Sequence, residues 1–235
     1  MVERGLAETR QKALAMILAG EVQVNGSRAD KGGTAIAADA RIEVNSRLQK
    51  YASRGGLKLE GALRDFALDP TGWICLDAGA STGGFTDCLL QHGAARVYAV
   101  DVNTKQLAWK LQQDARVIQV ECNARELQLG QIPEPIDLVV ADVSFISLTK
   151  IMERISAPAR PGAPFLLLVK PQFELRREEI GPGGIVKDEA LHEKAVACVW
   201  ESAQNAGLEC LGVRPSHLTG AEGNQEYFLH ARKKS

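Results

Sequence analysis

Apolar positions along this chain fall into two kinds of run, and the change between them divides the sequence. In the first fifty residues the runs are short. Leu6, Leu14, Ile17 and Leu18 recur at helical spacing, Thr9 stands where an N-cap would, and Gly20 ends the helix. Val22-Gln23-Val24 then alternates into Asn25-Gly26, a dipeptide that readily takes the positive φ angles of a two-residue hairpin. Lys31-Gly32-Gly33-Thr34 makes a second turn and Ile42-Glu43-Val44 a further short strand. Beyond residue 73 the apolar runs are longer. They predict strands at 73–77, 97–100, 117–120, 136–142, 165–170, 208–214 and 226–231, with helices near 84–92, 104–112, 147–155 and 188–206. Continuous apolar strands alternating with helices predict an α/β fold, a mostly parallel seven-stranded sheet covered on both faces. The last two strands lie close together in sequence, which predicts an antiparallel edge. Between the two patterns, residues 51–68 read as a bridge, with a turn at Ser53-Arg54-Gly55-Gly56 and a helix carrying Leu57, Leu59 and Leu63. Residues 174–187 form a charged, glycine-rich loop long enough to be a lid.

One of these strands carries chemistry. The run from Trp73 ends in Asp77-Ala78-Gly79, and Ala80-Ser81-Thr82-Gly83-Gly84-Phe85 follows as a glycine-rich turn; the next strand, Val97 to Val100, stops at Asp101. Strand, glycine turn, helix, strand and acid form a cradle for an adenosine-bearing cofactor. A dinucleotide fingerprint needs a second glycine where Ser81 stands, and Asp77 would repel a pyrophosphate while attracting an ammonium. S-adenosylmethionine has no phosphate; it has an amino group, a sulfonium, and ribose hydroxyls that can donate to Asp101. The electrostatics therefore favour it over NAD.

Ligands of doubly wound sheets sit at the carboxyl ends of the strands. The third strand ends in Glu121-Cys122-Asn123, the fourth in Val139-Val140-Ala141-Asp142 and the fifth in Leu168-Val169-Lys170-Pro171. The candidate cofactor residues are thus Asp77, Gly79, Ser81, Gly83, Gly84, Phe85, Asp101, Asn123 and Asp142. A lysine closing an apolar strand is costly to bury alone, and Asp142 on the neighbouring strand is its natural partner. Asp142-Val143-Ser144-Phe145 lacks the Asn/Asp-Pro-Pro-Tyr/Phe signature of amino methylation, and no cysteine stands there for attack on a pyrimidine ring. An oxygen acceptor fits better. A ribose 2′-hydroxyl is a weak acid that needs a base, or a lysine to steer its lone pair. No metal is required.

Composition narrows the classes. Apolar content of 45% and charged content of 24% suit a globular protein, and no 18-residue apolar run or secretory signal is visible. The five cysteines are scattered, with no Cys-x-x-Cys pair, and read as small buried hydrophobes in a reducing cytoplasm. The net charge of −1 hides an asymmetry, +3 over residues 1–54 against −4 over the rest. The basic front end suggests a polyanion, with Arg4, Arg10, Lys12, Arg28, Lys31 and Arg54 as candidate RNA-binding residues. Phe85 and Phe145 are expected to pack near the cofactor, with base stacking by one of them as the alternative. The four histidines show no catalytic or metal spacing and read as structural or surface residues.

Gly20-Glu21-Val22-Gln23-Val24-Asn25-Gly26 resembles the heart of the RNA-binding domain named after ribosomal protein S-four, here expected to lack its leading segment. The whole chain resembles the TlyA family. That resemblance is carried by Tyr51 to Leu59, Asp77 to Phe85, Ala141-Asp142-Val143-Ser144-Phe145-Ile146-Ser147, Val169 to Glu174 and Gly223-Asn224-Gln225-Glu226-Tyr227. It implies three segments: an S-four-like domain at 1–50, a linker and first helix at 51–68, and an FtsJ-like methyltransferase domain at 69–235 with a Rossmann-like fold. It further implies 2′-O-methylation of ribosomal RNA, on cytidines, with ribosomal RNA or subunits as partners. A Lys-Asp-Lys-Glu tetrad would fall on Lys58, Asp142, Lys170 and Glu226. In it the neutral form of Lys170 would take the 2′-proton, Asp142 and Glu226 would orient the lysines, and Lys58 would hold the target nucleotide or a phosphate. Members of the family are also named hemolysins. A membrane-lytic protein is accordingly the alternative, as is an RNA-binding protein with an inactive catalytic domain; a NAD-dependent oxidoreductase comes last.

Overall fold

The computed structural model describes residues 1–4, 6, 7, 9–18, 22–29, 31–37, 39–44, 50–220 and 223–235. They form two compact units, Met1–Lys50 and Tyr51–Ser235.

The front unit contains α1 (Arg10–Leu18), β1 (Val22–Val24), β2 (Ser27–Arg28) and β3 (Ile42–Val44). Thr9 caps α1 as its position suggested, its Oγ1 accepting from the Lys12 amide at 3.1 Å. Asn25 and Gly26 both have positive φ, at 52° and 79°, as a two-residue turn between β1 and β2 requires. β1 is the central strand, antiparallel to both neighbours. Asn25 ties the turn to the approach of β3, its N–H donating to the Arg41 carbonyl and its Oδ1 accepting from the Arg41 amide, each at 2.9 Å. The core differs from the expected leucine face: Ala13, Val22 and Ala40 are sealed, whereas Leu14 is exposed and covered on one side by Gly32. Gly20, the expected helix stop, and the side chains of Leu18 and Arg28 lie outside the described residues.

The second unit opens with α2 (Gly55–Asp65) and continues through β4 (Ile74–Ala78), α3 (Gly84–Gln91), β5 (Arg96–Asp101), α4 (Trp109–Gln112) and β6 (Val117–Glu121). β7 (Leu138–Ala141), α5 (Met152–Ser156), β8 (Pro164–Val169), α6 (Pro171–Glu174), α7 (Glu189–Asn205), β9 (Leu208–Pro215) and β10 (Tyr227–Lys233) complete it. The strands form one sheet in the order β6-β5-β4-β7-β8-β10-β9. The first five are parallel, and β10 runs antiparallel to both β8 and β9, as the close spacing of the last two runs predicted. Each expected helix near 104–112 and 147–155 is broken into a single 3₁₀ turn and a short α-helix, because Asn103 and Ser147 cap tight turns with their side chains.

Alternate residues of the buried strands feed two separate cores, one on each face. Leu76, Val139, Leu167 and Leu229 pack on one face with Ile155 and Val199; Cys75, Leu138, Leu166 and Phe228 pack on the other with Leu59, Leu63 and Leu89. Residues 51–68 do not behave as a linker, because they are built into this second core. Tyr51 is sealed, and a β-carbon on Gly56 would lie 2.3 Å from its ring. α2 approaches α3 closely because a β-carbon on Gly84 would fall 2.2 Å from Ser53 Oγ and 3.0 Å from the Gly56 amide nitrogen. Glycine is the only residue that fits there.

The glycine-rich loop at 174–187 is tethered rather than loose. Glu174 accepts from Ser147 Oγ at 2.5 Å and the Leu148 amide at 2.9 Å, Glu179 pairs with Lys194, and Val186 is buried. None of the five cysteines is in a disulfide, but only Cys75 and Cys88 are buried; Cys122 and Cys210 are half-buried and Cys198, on α7, is exposed.

Candidate active site

Strand register brings the four tetrad positions to one end of the sheet. β4 and β7 pair Ala78 with Ala141, so Asp142 follows beside Gly79. β8 and β10 pair Val169 with Tyr227, so Lys170 and Glu226 continue opposite one another just past the ladder. Lys58 comes from α2, one turn beyond Gly55, where a β-carbon would stand 3.6 Å from Asp142 Oδ2. Three of the four side chains are nearly sealed, at 9% exposure for Lys58, 8% for Lys170 and 2% for Glu226.

They form two ion pairs, Lys58–Glu226 sealed and Lys170–Asp142 with its acid half-buried. Lys58 Nζ lies 2.5 Å from Glu226 Oε2. Lys170 Nζ lies 2.6 Å from Asp142 Oδ1 in an ion pair without hydrogen-bond alignment, and donates to Ser144 Oγ at 2.9 Å. Burial makes these pairs mutually obligatory, since removing either partner strands a charge in low dielectric. Ser144, which no reading of the sequence singled out, is therefore part of the lysine's setting. Phe173 adds a ring face 5.9 Å from the ammonium.

Two cavities meet at this point. One, of about 490 Å³, is lined by Gly79, Ser81, Asp101, Asn123, Asp142 and Phe145, among others. A smaller one, of about 150 Å³, is lined by Ser53, Gly84, Phe85, Asp142, Ser144 and Lys170, and shares Gly79 and Ser81 with the first. The larger takes the candidate cofactor residues at the ends of β4 to β7; the smaller holds the lysine.

The backbone of the larger cavity is shaped for close approach. Gly79 has φ +86°, and a β-carbon there would lie 2.6 Å from the Asp142 carbonyl oxygen. Ser81 also has positive φ, at 48°, and its N–H donates to Asp101 Oδ2 at 2.9 Å; Asp101 Oδ1 accepts from the Asn103 amide at 3.1 Å. Asp101 thus orders the glycine turn while standing at the cavity wall.

Asp77 is fully buried beneath the turn. Its Oδ2 accepts from Thr86 Oγ1 at 2.6 Å, and its Oδ1 is buried with no hydrogen-bond partner. Desolvation pushes its carboxyl up to about 7, opposed by the Thr86 bond and assisted by the negative charges of Asp142 and Asp101. An orphaned, buried carboxylate oxygen next to a glycine cradle, with a second acid at the rim, fits a cofactor that brings a cation and sugar hydroxyls. Neither Asp77 nor Gly83 lines either of these two cavities: the space where a Gly83 β-carbon would go is filled by Leu111, at 2.2 Å, and Leu107. Gly83 serves packing.

The aromatic pair divides. Phe85 is buried and stacks on Phe228, with ring centroids 6.1 Å apart. Phe145 is 93% exposed and holds φ +65°, a strained value for an aromatic residue, with Phe173 5.4 Å away. Of the candidate RNA-binding residues, Arg10, Lys12, Lys31 and Arg54 are exposed, while Arg4 donates to the Ala40 carbonyl at 2.6 Å and so also holds its own unit together.

Residues 51–233 match the FtsJ-like methyltransferase family and residues 1–42 the S4 domain. The chain is 46% identical to the 16S/23S rRNA (cytidine-2'-O)-methyltransferase TlyA of Mycobacterium tuberculosis, covering all of this chain and 88% of the relative. The chain belongs to the TlyA family. Hemolysin A of Brachyspira hyodysenteriae is 42% identical over 96% of this chain and 95% of its own. A solved structure of a candidate hemolysin from Streptococcus thermophilus superposes with a TM-score of 0.80 at 42% identity, covering 99% of this chain and 86% of that one. The second unit has the fold of S-adenosylmethionine-dependent methyltransferases: such an enzyme from Mesorhizobium loti matches at a TM-score of 0.58 and 16% identity, covering 75% of this chain and 98% of that one. Within this TlyA-family chain the family's two parts coincide with the two compact units. Among the described residues no helix is long and apolar enough to cross a membrane.

Proposed function

We propose that the chain methylates a ribose 2′-oxygen of ribosomal RNA, with S-adenosylmethionine as donor and cytidines as targets. The observation that carries this reading is the buried Lys170 amino group, 2.6 Å from Asp142 and 2.9 Å from Ser144, lining the smaller of the two adjoining cavities.

The cofactor supplies an electrophilic methyl group on a sulfonium. Gly79, Ser81, Asp101 and Asn123 line the space that would hold it, and Asp77 sits beneath with its unpaired oxygen. The chain's own residues do the rest. Lys170 Nζ, in its neutral form, accepts the proton of the 2′-hydroxyl and directs the oxygen lone pair. Asp142 Oδ1 then stabilises the resulting ammonium, and Ser144 Oγ holds the nitrogen in place by accepting one of its protons in a hydrogen bond. Lys58 and Glu226 form a second pair at the same end of the sheet. Their pairing fixes Lys58 at the place where it can meet the target nucleotide. A good leaving group already sits on the donor, so alignment and charge balance are what the protein contributes.

Phe145 offers an exposed ring face at the mouth of the larger cavity and would stack on the base of an unpaired target nucleotide. The front unit would hold the RNA backbone through Arg10, Lys12 and Lys31. Labelled methyl transfer from S-adenosylmethionine to purified 30S and 50S subunits lacking the modification tests the reading, with Lys170→Ala alongside. Label that protects one ribose from alkaline cleavage, and disappears in the variant, is the expected result. Label on a base, or none in either subunit despite bound cofactor, would overturn it.

A further inference from the structure

Glu226 lies between Asn224 and Tyr227, whose side chains reach the backbone of the same residue, Val186, through its N–H and its C=O, and neither has been given a role. Asn224 is buried, and its Oδ1 accepts from the Val186 amide at 2.9 Å while its Nδ2 donates to the Gly184 carbonyl at 2.8 Å. Tyr227, on the other side of Glu226, has its hydroxyl 2.8 Å from His192 Nδ1, and His192 Nε2 lies 2.8 Å from the Val186 carbonyl. A carbonyl can only accept, so His192 Nε2 carries the hydrogen and Nδ1 accepts from Tyr227. Val186 is thereby held through its N–H from position 224 and through its C=O, by way of His192, from position 227. The carboxylate between them is further fixed by its own backbone, the Glu226 carbonyl accepting from the Ser216 amide at 2.8 Å. A β-carbon on Gly220 would stand 2.7 Å from Glu226 Oε1.

We propose that Asn224 and the His192–Tyr227 pair are positioning residues for Glu226, using the backbone N–H and C=O of Val186 in the glycine-rich loop as a fixed brace, so that Lys58 is presented at one place and not several. The loop at 174–187 is then part of the support of Glu226 rather than a free lid. The brace meets the chain on both sides of the acid, two residues before it and one after, and Lys58 takes its position from that acid alone among the described contacts. The inference rests on the methyl-transfer reading for its kinetic consequence, and on nothing else in it.

The test is a double-mutant cycle on the full chain. Asn224→Ala and, as the variant that removes one hydroxyl and should fold normally, Tyr227→Phe are each made alone and in a Glu226→Gln background. Alone, each is expected to lower kcat, by about tenfold for Asn224→Ala and about threefold for Tyr227→Phe, with the KM for S-adenosylmethionine unchanged. In the Glu226→Gln background both effects should shrink below about twofold, because residues acting through one group are not additive. Equal losses in both backgrounds, or no loss in either, overturns the proposal. An activity-independent readout accompanies it: the ¹³C resonance of the labelled Glu226 carboxylate should shift in Asn224→Ala and Tyr227→Phe, and an unmoved resonance counts against the brace. Should the parent chain transfer no methyl to either subunit, the functional reading fails and the carboxylate resonance still decides the positioning role.

Discussion

In the front unit Arg10 and Lys31 are exposed, whereas in the second unit Lys58 and Lys170 are about nine-tenths buried and each touches a carboxylate. Both sets are basic residues in a family of RNA-modifying enzymes, yet the physics differs. An exposed charge acts at a distance, is screened within about 8 Å at physiological salt, and tolerates imprecision. A buried charge acts only where it is placed, and its partner is part of its cost. The first arrangement suits holding a polyanion of any sequence; the second suits handling one proton. Asp77 is a third case, a buried acid with half of its carboxylate unpaired.

The sharpest way to break this contrast is to remove the placed charge. Lys170→Ala should lower methyl transfer by about 10²–10⁴-fold while leaving cofactor binding in place, read by single-turnover kinetics beside calorimetry. An effect under tenfold would mean that Lys170 is scenery. Next comes stranding a charge: Glu226→Gln leaves the Lys58 ammonium buried without its acid and should cost about 3 kcal/mol in denaturant unfolding. The same neutralisation in the exposed Glu209–Arg232 pair, at Glu209, should fall within about 0.5 kcal/mol.

Asp77 comes third and depends on pH. Its folded-state value, near 7, lies above that of the unfolded chain, so protonation favours folding. That contribution is complete below about pH 4 and is lost as the pH rises through 7. Asp77→Asn should therefore flatten the fall in stability between pH 5 and 8, leaving the variant more stable than the parent at pH 8 by roughly 2–4 kcal/mol without cofactor. A parallel pair of stability curves would show that Asp77 ionises freely.

Smaller in size, and opposite in sign for stability and activity, is Phe145→Gly. Relief of the positive φ should add about 1 kcal/mol of stability, while loss of the ring lowers turnover on RNA about tenfold. If both fall together, the ring is packing rather than reading a base. The smallest effect belongs to the front unit. Each of Arg10, Lys12 and Lys31 changed to Ala should weaken RNA binding only severalfold at moderate salt and reduce the slope of log affinity against log salt by roughly one. Turnover of bound RNA should stay unchanged.

Much of this was legible because the signals are local. Continuous apolar strands cannot sit anywhere but inside a covered sheet, and Asn25-Gly26 announces its turn. The strand ends pointed to Asp101, Asp142 and Lys170, since polar residues closing apolar runs have few other uses. Glycines were less readable. Gly79 and Gly83 look alike in sequence, but one lies against the Asp142 carbonyl at a cavity wall and the other against Leu107 and Leu111. Phe85 and Phe145 were equally indistinguishable until one proved to be stacked inside and the other to face water. Ser144 carried no signal of its own, because a serine reveals its use only when its partner is known.

What the sequence by itself determined is the set of elements, the cradle at the end of the first long strand and the kind of cofactor it could accept, because these follow from periodicity, glycine placement and charge within a few residues. What only the tertiary structure decided is pairing across long separations. Lys58 and Glu226 are 168 residues apart and meet because α2 packs on α3 through glycines and β10 enters the sheet beside β8. Nothing local requires that meeting. It depends on strand order, on register and on burial that makes each charge need the other, and those are properties of the folded chain as a whole.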